Sequence, residues 1–325
     1  MNRRSFVRSA ALGGLATIGF PLFAQQDKFP NKTIKFVVPF AAGGGGDAIA
    51  RISGQKLSER LNSPVVIENR TGAGGTVGSA YVMKSAPDGY TLLNMSASYC
   101  IQAAMAPLPF DPILDMQPII TLAQTPMVLL VHNDSPFRNA NDLIAAAKKN
   151  PDRFTHGSAG IGSIAHLSME EFAYLAEIKL VHVPYKGSSL AMNDLLGGNV
   201  DLLLSTSTFT APYVKSKRVR ALGVAGQSRL SILPDVPTFE EQGVKDFNVV
   251  DSKSLGGPKG IAPEIVALLN TELNSVLKDR AVYTRLEDEG TTAVGGSPEY
   301  MLQLIRQDIA RWKKVIDLQK ITPQS

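Results

Sequence analysis

Short apolar runs alternate with longer amphipathic ones along most of the chain. Strand-like runs cover Thr33 to Val38, Pro64 to Glu68, Tyr90 to Asn94, Lys179 to Val183, Val200 to Leu204 and Val219 to Val224. Helical patterning covers Asp47 to Leu61, Gly74 to Ser85, Asn141 to Lys149, Ser163 to Ala176, Pro263 to Lys278 and Pro298 to Leu318. In the first helix Ile49, Ile52, Leu57 and Leu61 form the apolar face, while Arg51, Gln55, Lys56, Glu59 and Arg60 cover the others. Strands alternating with helices predict an α/β fold with largely parallel sheets.

A chain of 325 residues exceeds what one hydrophobic core usually serves, so two domains are expected. The apolar run Met127-Val128-Leu129-Leu130-Val131 is suited to carry the chain from one domain to the other. Phe247-Asn248-Val249-Val250, after the turn-rich Leu233-Pro234-Asp235-Val236-Pro237, is suited to bring it back. The expected division is a discontinuous domain of residues 27–128 and 249–325, with residues 129–248 inserted.

The first 24 residues stand apart from this pattern: Asn2 to Arg8 is basic, and Ala10 to Ala24 is apolar and rich in small residues. That second stretch falls short of the roughly 20 residues that span a bilayer and has the length of a signal h-region. It reads as an export signal cleaved near Ala24-Gln25, with Arg3-Arg4 resembling a twin-arginine pair. Of the formal net charge of +4, Arg3, Arg4 and Arg8 supply three charges, leaving +1 for the mature chain. Near neutrality without a block of like charge gives no reason to expect nucleic acid or membrane lipid as a partner. Cys100 is the one cysteine, which excludes an internal disulfide and a lipid-bearing cysteine at the signal boundary. No His, Cys and carboxylate cluster has metal-ligand spacing, so no metal and no cofactor are expected.

Three glycine-rich junctions carry the candidate chemistry: Ala41 to Arg51, Asn69 to Gly78, and Gly157 to His166. A helix start offers unpaired N–H groups and the positive end of the macrodipole, and glycine lets an anion approach the bare backbone. Two enzymatic readings compete with anion capture. Gly43, Gly45 and Ala48, with Glu68 ending the next strand, satisfy a dinucleotide fingerprint, although four residues separate strand and first glycine. Gly157-Ser158-Ala159-Gly160 and Gly162-Ser163 each fall short of a nucleophile elbow. His166, three residues after Ser163, lies on the adjacent helix surface, where packing suits it better than the role of a base. No Gly-Lys-Ser or Gly-Lys-Thr follows Gly46, which removes a Walker loop.

Six ordered motifs give the chain a family likeness. They are Val38-Pro39-Phe40 with Gly43-Gly44, Asp47 and Arg51; Glu68-Asn69-Arg70 with Gly72 to Gly75; and Pro87-Asp88-Gly89-Tyr90-Thr91-Leu92. Val183-Pro184-Tyr185-Lys186-Gly187, Arg220-Ala221-Leu222 and Leu233 to Thr238 complete the set. The chain resembles the tripartite tricarboxylate transporter receptors, the Bug family of extracytoplasmic solute-binding proteins, over essentially its whole mature length. The resemblance implies a two-domain type II periplasmic binding fold, monomeric and non-catalytic. Its cleft closes on a small carboxylic acid, which is then handed to integral-membrane transporter subunits. By position it assigns Phe40, Ala42, Gly43, Gly44 and Asp47 to the first-domain floor, with Asp47 also suited to capping its helix. Ser96 and Ser98 follow the third strand; Ser158, Gly160, Gly162, Ser163 and His166 make the second-domain floor; Tyr185, Lys186, Gly187 and Ser205 make the far wall. Two departures stand out. Ser252-Lys253-Ser254 replaces a segment that is often aromatic in the family, and Ser205-Thr206-Ser207 offers hydroxyls where an acidic or amide residue is common. Hydroxyls cannot pair a ligand amine as a carboxylate would, which favours plain carboxylates over amino acids.

Overall fold

On the first strand, Ile34 and Phe36 point into one buried cluster and Val37 into another, the period of two that a strand covered on both faces requires. The structure is a computed structural model that describes residues 28–322. The first part of the chain forms β1 (Ile34–Val38), α1 (Gly45–Leu61), β2 (Val65–Asn69), α2 (Thr76–Met83), β3 (Thr91–Met95) and α3 (Ala97–Met105). A long strand, β4 (Met116–His132), leads to α4 (Ala140–Lys149), β5 (Thr155–Ser158), α5 (Ile164–Leu175), β6 (Val181–Pro184) and α6 (Ser188–Leu196). The chain continues through β7 (Leu202–Thr206), α7 (Ser207–Lys215), β8 (Val219–Ala225) and β9 (Val250–Pro258). It closes with α8 (Pro263–Lys278), α9 (Arg280–Asp288), β10 (Thr292–Gly295) and α10 (Pro298–Gln319).

β1 pairs in parallel with β2 and β3, and β5 with β6 and β7, as the βαβ pattern predicts. The sheets are nonetheless mixed. β9 runs antiparallel to β3 and to the first half of β4, while the second half of β4 runs antiparallel to β7 and β8. The strand pattern from 116 to 132 contains Pro118, Thr121 and Gln124, which breaks the apolar periodicity and hides the length of β4. Register shifts between Pro118 and Ile120 and between Thr121 and Ala123 leave Ile119 and Leu122 as the bulged residues. Met127 and Val249 pass from one set of strands to the other side by side, Met127 N–H donating to Val249 O at 3.2 Å.

One core packs α1 and α8 onto the first sheet through Phe36, Ile49, Leu57, Leu269 and Leu273. Another packs α6 onto the second sheet through Val128, Leu130, Met192 and Leu195. A third joins them, because α10 places Met301, Ile305, Trp312 and Ile316 along one stripe against residues of both sheets. The antiparallel β4–β9 pair runs beside the seam where the starts of α1, α3, α5, α6 and α7 come together with Met127, Asp251 and Lys253.

Candidate functional site

α1 begins where Gly44 is still extended, at φ −84° and ψ 169°, so Gly45, Gly46 and Asp47 form the first turn with amides that have no intrahelical partner. Asp47 does not cap this helix. It is the third helical residue and turns its carboxylate back to the loop, accepting from Gly43 N–H at 3.0 Å, Asn69 Nδ2 at 3.1 Å and Arg51 Nε at 2.8 Å. Burial acts to raise its carboxyl, but these hydrogen bonds and the Arg51 guanidinium outweigh it and hold the group below the usual carboxylate range. The aspartate thus fixes the loop and neutralises Arg51, leaving the amides of the turn facing inward.

Facing them is the start of α5. Ser163 caps it by accepting from His166 N–H at 3.3 Å, and Ser98 of α3 reaches across to accept from Ile164 N–H at 3.1 Å. α7 follows β7 without a break and its cap, Thr206, contributes no side-chain hydrogen bond to it. Together with the starts of α3 and α6, these ends enclose a cavity of about 60 Å³. That is room for a few water-sized groups, given roughly 15 Å³ for each. Phe40, Gly44, Asp47, Ser96, Ser98, Ser163 and Ser205 all line it.

The closeness of the two walls has a steric signature. A Cβ on Gly45 would overlap the Thr206 hydroxyl, so a side chain is excluded there by the opposite wall and not by backbone angle. Gly162, at φ +70°, is bound by both conditions, because a Cβ would also overlap the Gln102 amide. Gln102 donates across the seam to Ile161 O at 3.1 Å, and Ser189 Oγ to Ala42 O at 3.4 Å.

Nine of the expected site residues lie outside the cavity lining. Ala42, Gly43 and Gly187 sit in the seam around it, Ala42 and Gly43 through the contacts above and Gly187 against Ala41. Ser158 is fully buried, its hydroxyl held by Gly160 N–H at 3.0 Å and by His182 Nε2 at 2.7 Å. His166 accepts from Gly162 N–H at 3.2 Å and stacks on His182 with ring centroids 3.9 Å apart. Burial pushes its pKa down to about 4, so the ring is neutral and serves the loop's shape. Tyr185 turns outward to donate to Asp194 at 2.5 Å; burial first, and then this bond, push its phenol up to about 12. With Gly160 and Lys186 it lines an open groove of about 760 Å³, which also receives Gly72 to Thr76. The second glycine junction therefore faces this groove and not the enclosed cavity. Glu68, the acidic residue of the dinucleotide fingerprint, is taken by Arg70 and stands 3.7 Å from Lys35.

Among the cavity residues that were not expected contacts are four polar ones carried by strands. Asn94 is the penultimate residue of β3, Thr206 ends β7, and Asp251 and Lys253 come from β9. Asp251 and Lys253 form a buried ion pair, 3 % and 4 % exposed, and the free Asp251 oxygen accepts from Ala97 N–H at 3.0 Å. The α3 start, expected to hold ligand, is therefore already held by an internal carboxylate. Ser252-Lys253-Ser254 was legible as a departure from a pattern, but nothing in its neighbours signals that Lys253 points into the site.

Comparison with known proteins agrees with this architecture. The profile of the tripartite tricarboxylate transporter family receptor matches residues 49–321. A UPF0065 protein from the tcbD-tcbE intergenic region of Pseudomonas sp. strain P51 is 39% identical, over 95% of this chain and 94% of its own. The periplasmic binding protein BugD superposes with a TM-score of 0.87 at 33% identity, covering 90% of this chain and 99% of its own. A protein of R. palustris solved with adipate has the same TM-score at 32% identity, covering 90% of this chain and 99% of its own.

Proposed function

The chain belongs to the tripartite tricarboxylate transporter receptor family, with its two-domain periplasmic binding fold, and from that premise we propose that it captures a small carboxylate without transforming it. One observation carries this reading: the starts of α1, α5 and α7 converge on an enclosed cavity, with unpaired amides in the first turn of α1. Backbone amides at the positive ends of helices stabilise a carboxylate without a counter-ion. The small cavity and the hydrogen bonds across the seam suit a cleft closed around its ligand. Closure then is the event that binding drives, since a ligand touching both walls favours the closed form by its differential affinity.

On this reading residues 27–128 with 249–325 form one lobe and residues 129–248 the other, hinged where Met127 and Val249 cross. Of the expected contacts, Phe40, Gly44, Asp47, Ser96, Ser98, Ser163 and Ser205 stay as residues around the ligand, Asp47 acting through the loop it ties. The protein works in the periplasm after export by the segment ending at Ala24, which lies outside the described residues, and delivers its ligand to membrane subunits of a tripartite transporter. A serine-hydrolase role finds no support in Ser158, whose hydroxyl is enclosed by Gly160 and His182.

A thermal-shift screen of carboxylic acids on the mature protein tests the proposal. A ligand at 100 times its dissociation constant adds about 2.7 kcal/mol of stability. The bound acid should be recovered unchanged after incubation. Failure of every mono-, di- and tricarboxylate to raise the melting temperature, or recovery of a converted product, overturns it.

A further inference from the structure

The polar wall of the cavity contains more hydrogen-bonding capacity than the protein itself uses. Asn94 is 2 % exposed, and its Nδ2 donates to Gly46 O at 2.8 Å, which fixes the amide so that Oδ1 is the opposite atom. That oxygen has no partner among the described residues, and neither does the hydroxyl of Ser96, which is 8 % exposed. Lys253 has three N–H donors and gives one to Asp251. Buried polar atoms in folded proteins are almost always paired, so two such orphans on residues of one cavity wall that also carries an underused ammonium point to a missing group.

The distances place the lysine and asparagine side chains beside the first turn of α1. A Cβ built on Gly46 would lie 3.6 Å from Lys253 Nζ and 3.8 Å from Asn94 Nδ2, so the ammonium and the amide stand one side-chain length from the first turn of α1. A carboxylate held by the α1 amides therefore brings its own neighbouring carbon substituent up to Lys253 and Asn94. Asn94 Oδ1 can only accept, and Lys253 can only donate. A second carboxylate satisfies the lysine and repels the amide oxygen. An ammonium satisfies the amide oxygen and meets the lysine as a like charge. A hydrogen leaves both unpaired. A hydroxyl accepts from the lysine and donates to the amide, and it alone serves both.

Resting on the carboxylate-receptor reading, we infer that Asn94 and Lys253 are specificity-determining residues and that the ligand class is hydroxy acids, with the hydroxyl on the carbon next to the bound carboxylate or one further. Asp251 acts as a positioning residue, holding the lysine by one donor so that the others face the cavity.

Calorimetric titration of the mature protein with two matched sets, lactate, propionate and alanine, then malate, succinate and aspartate, decides the matter. In whichever set binds, the hydroxy acid should bind about 10-fold or more tighter than its deoxy parent, because the parent leaves Asn94 Oδ1 unpaired in a closed site. The amino analogue should be weaker still. In Asn94→Leu, and separately in the charge-free pair Asp251→Asn with Lys253→Met, the ratio of hydroxy to deoxy affinity should fall towards one. Equal binding of hydroxy and deoxy acids by the wild type, or a ratio unchanged in the double variant, overturns the hydroxyl inference and leaves the receptor reading standing. No binding of any acid in either set, together with a blank carboxylate screen, overturns the receptor reading itself. Should Asn94→Leu fail to fold, the wild-type ratio and the double variant still decide.

Discussion

Gly45 is the position where closure can be separated from stability. It is the first residue of α1, its backbone lies outside the left-handed region, and alanine there can be accommodated without backbone strain. In the isolated lobe, Gly45→Ala should raise stability by about 0.4–1 kcal/mol, since alanine has less conformational freedom to lose on folding. In the closed form the new Cβ overlaps the Thr206 hydroxyl and stands 3.4 Å from Thr206 Cβ, on the opposite wall. Thr206 is β-branched and stiff about χ1, so relief requires a strained rotamer or a small opening of the cleft. Overpacking of this kind costs about 1–3 kcal/mol. Because the open form does not feel it, the whole cost falls on binding and weakens affinity by roughly 5- to 150-fold. Titration calorimetry with the strongest acid from the screen gives the affinity, urea unfolding without ligand gives the stability, and small-angle scattering follows compaction. Thr206→Ala removes the obstructing hydroxyl and should restore binding to Gly45→Ala. Wild-type affinity in Gly45→Ala, or a loss of affinity matched by a loss of stability and not rescued by Thr206→Ala, refutes the closure argument.

Lys253→Met alone should destabilise the protein by about 3–5 kcal/mol in urea unfolding, because it strands Asp251 as an unpaired buried charge, while adding Asp251→Asn recovers most of that loss. Asp308 makes stability fall with rising pH: burial first, then the Asp251 charge, push its carboxyl up to about 6 against opposition from Arg311. Its contribution is complete below the unfolded value near 4 and is lost as pH rises through 6, so Asp308→Asn should exceed the wild type in thermal stability at pH 7 and lose that advantage below about pH 4. His166 acts in the other direction, since burial holds its pKa near 4; its contribution is complete above about 6.5 and vanishes as pH falls through 4, and His166→Gln should flatten the acid limb of a pH-stability profile. Fractionation of cells expressing the full chain should find a form starting near Gln25 in the periplasm, and Arg3→Gln with Arg4→Gln should retain the precursor in the cytoplasm if the twin-arginine route is used.

The sequence by itself determined the local events: which runs become strands and helices, and where helices begin. A glycine run between Phe40 and Asp47 and the Ser163 cap specify the starts of α1 and α5 through backbone freedom and one hydroxyl, within ten residues of chain. For that reason the starts of the two helices were legible, whereas most residues placed on the second floor turned out to serve the loop or the open groove beside it. The tertiary structure decided what those starts face. The antiparallel course of β9 carries Asp251 and Lys253 next to Gly46 and Ala97, partners some 150 or more positions away, and no local period records such a pairing. The same long-range folding occupied the α3 start with Asp251, turned Tyr185 out to Asp194, and stacked His156, His166 and His182 although their spacing suggests no cluster. Helix starts follow from a few neighbouring residues; side-chain direction across a seam follows from how the strands carrying those side chains are paired, and that is fixed only when the whole chain is folded.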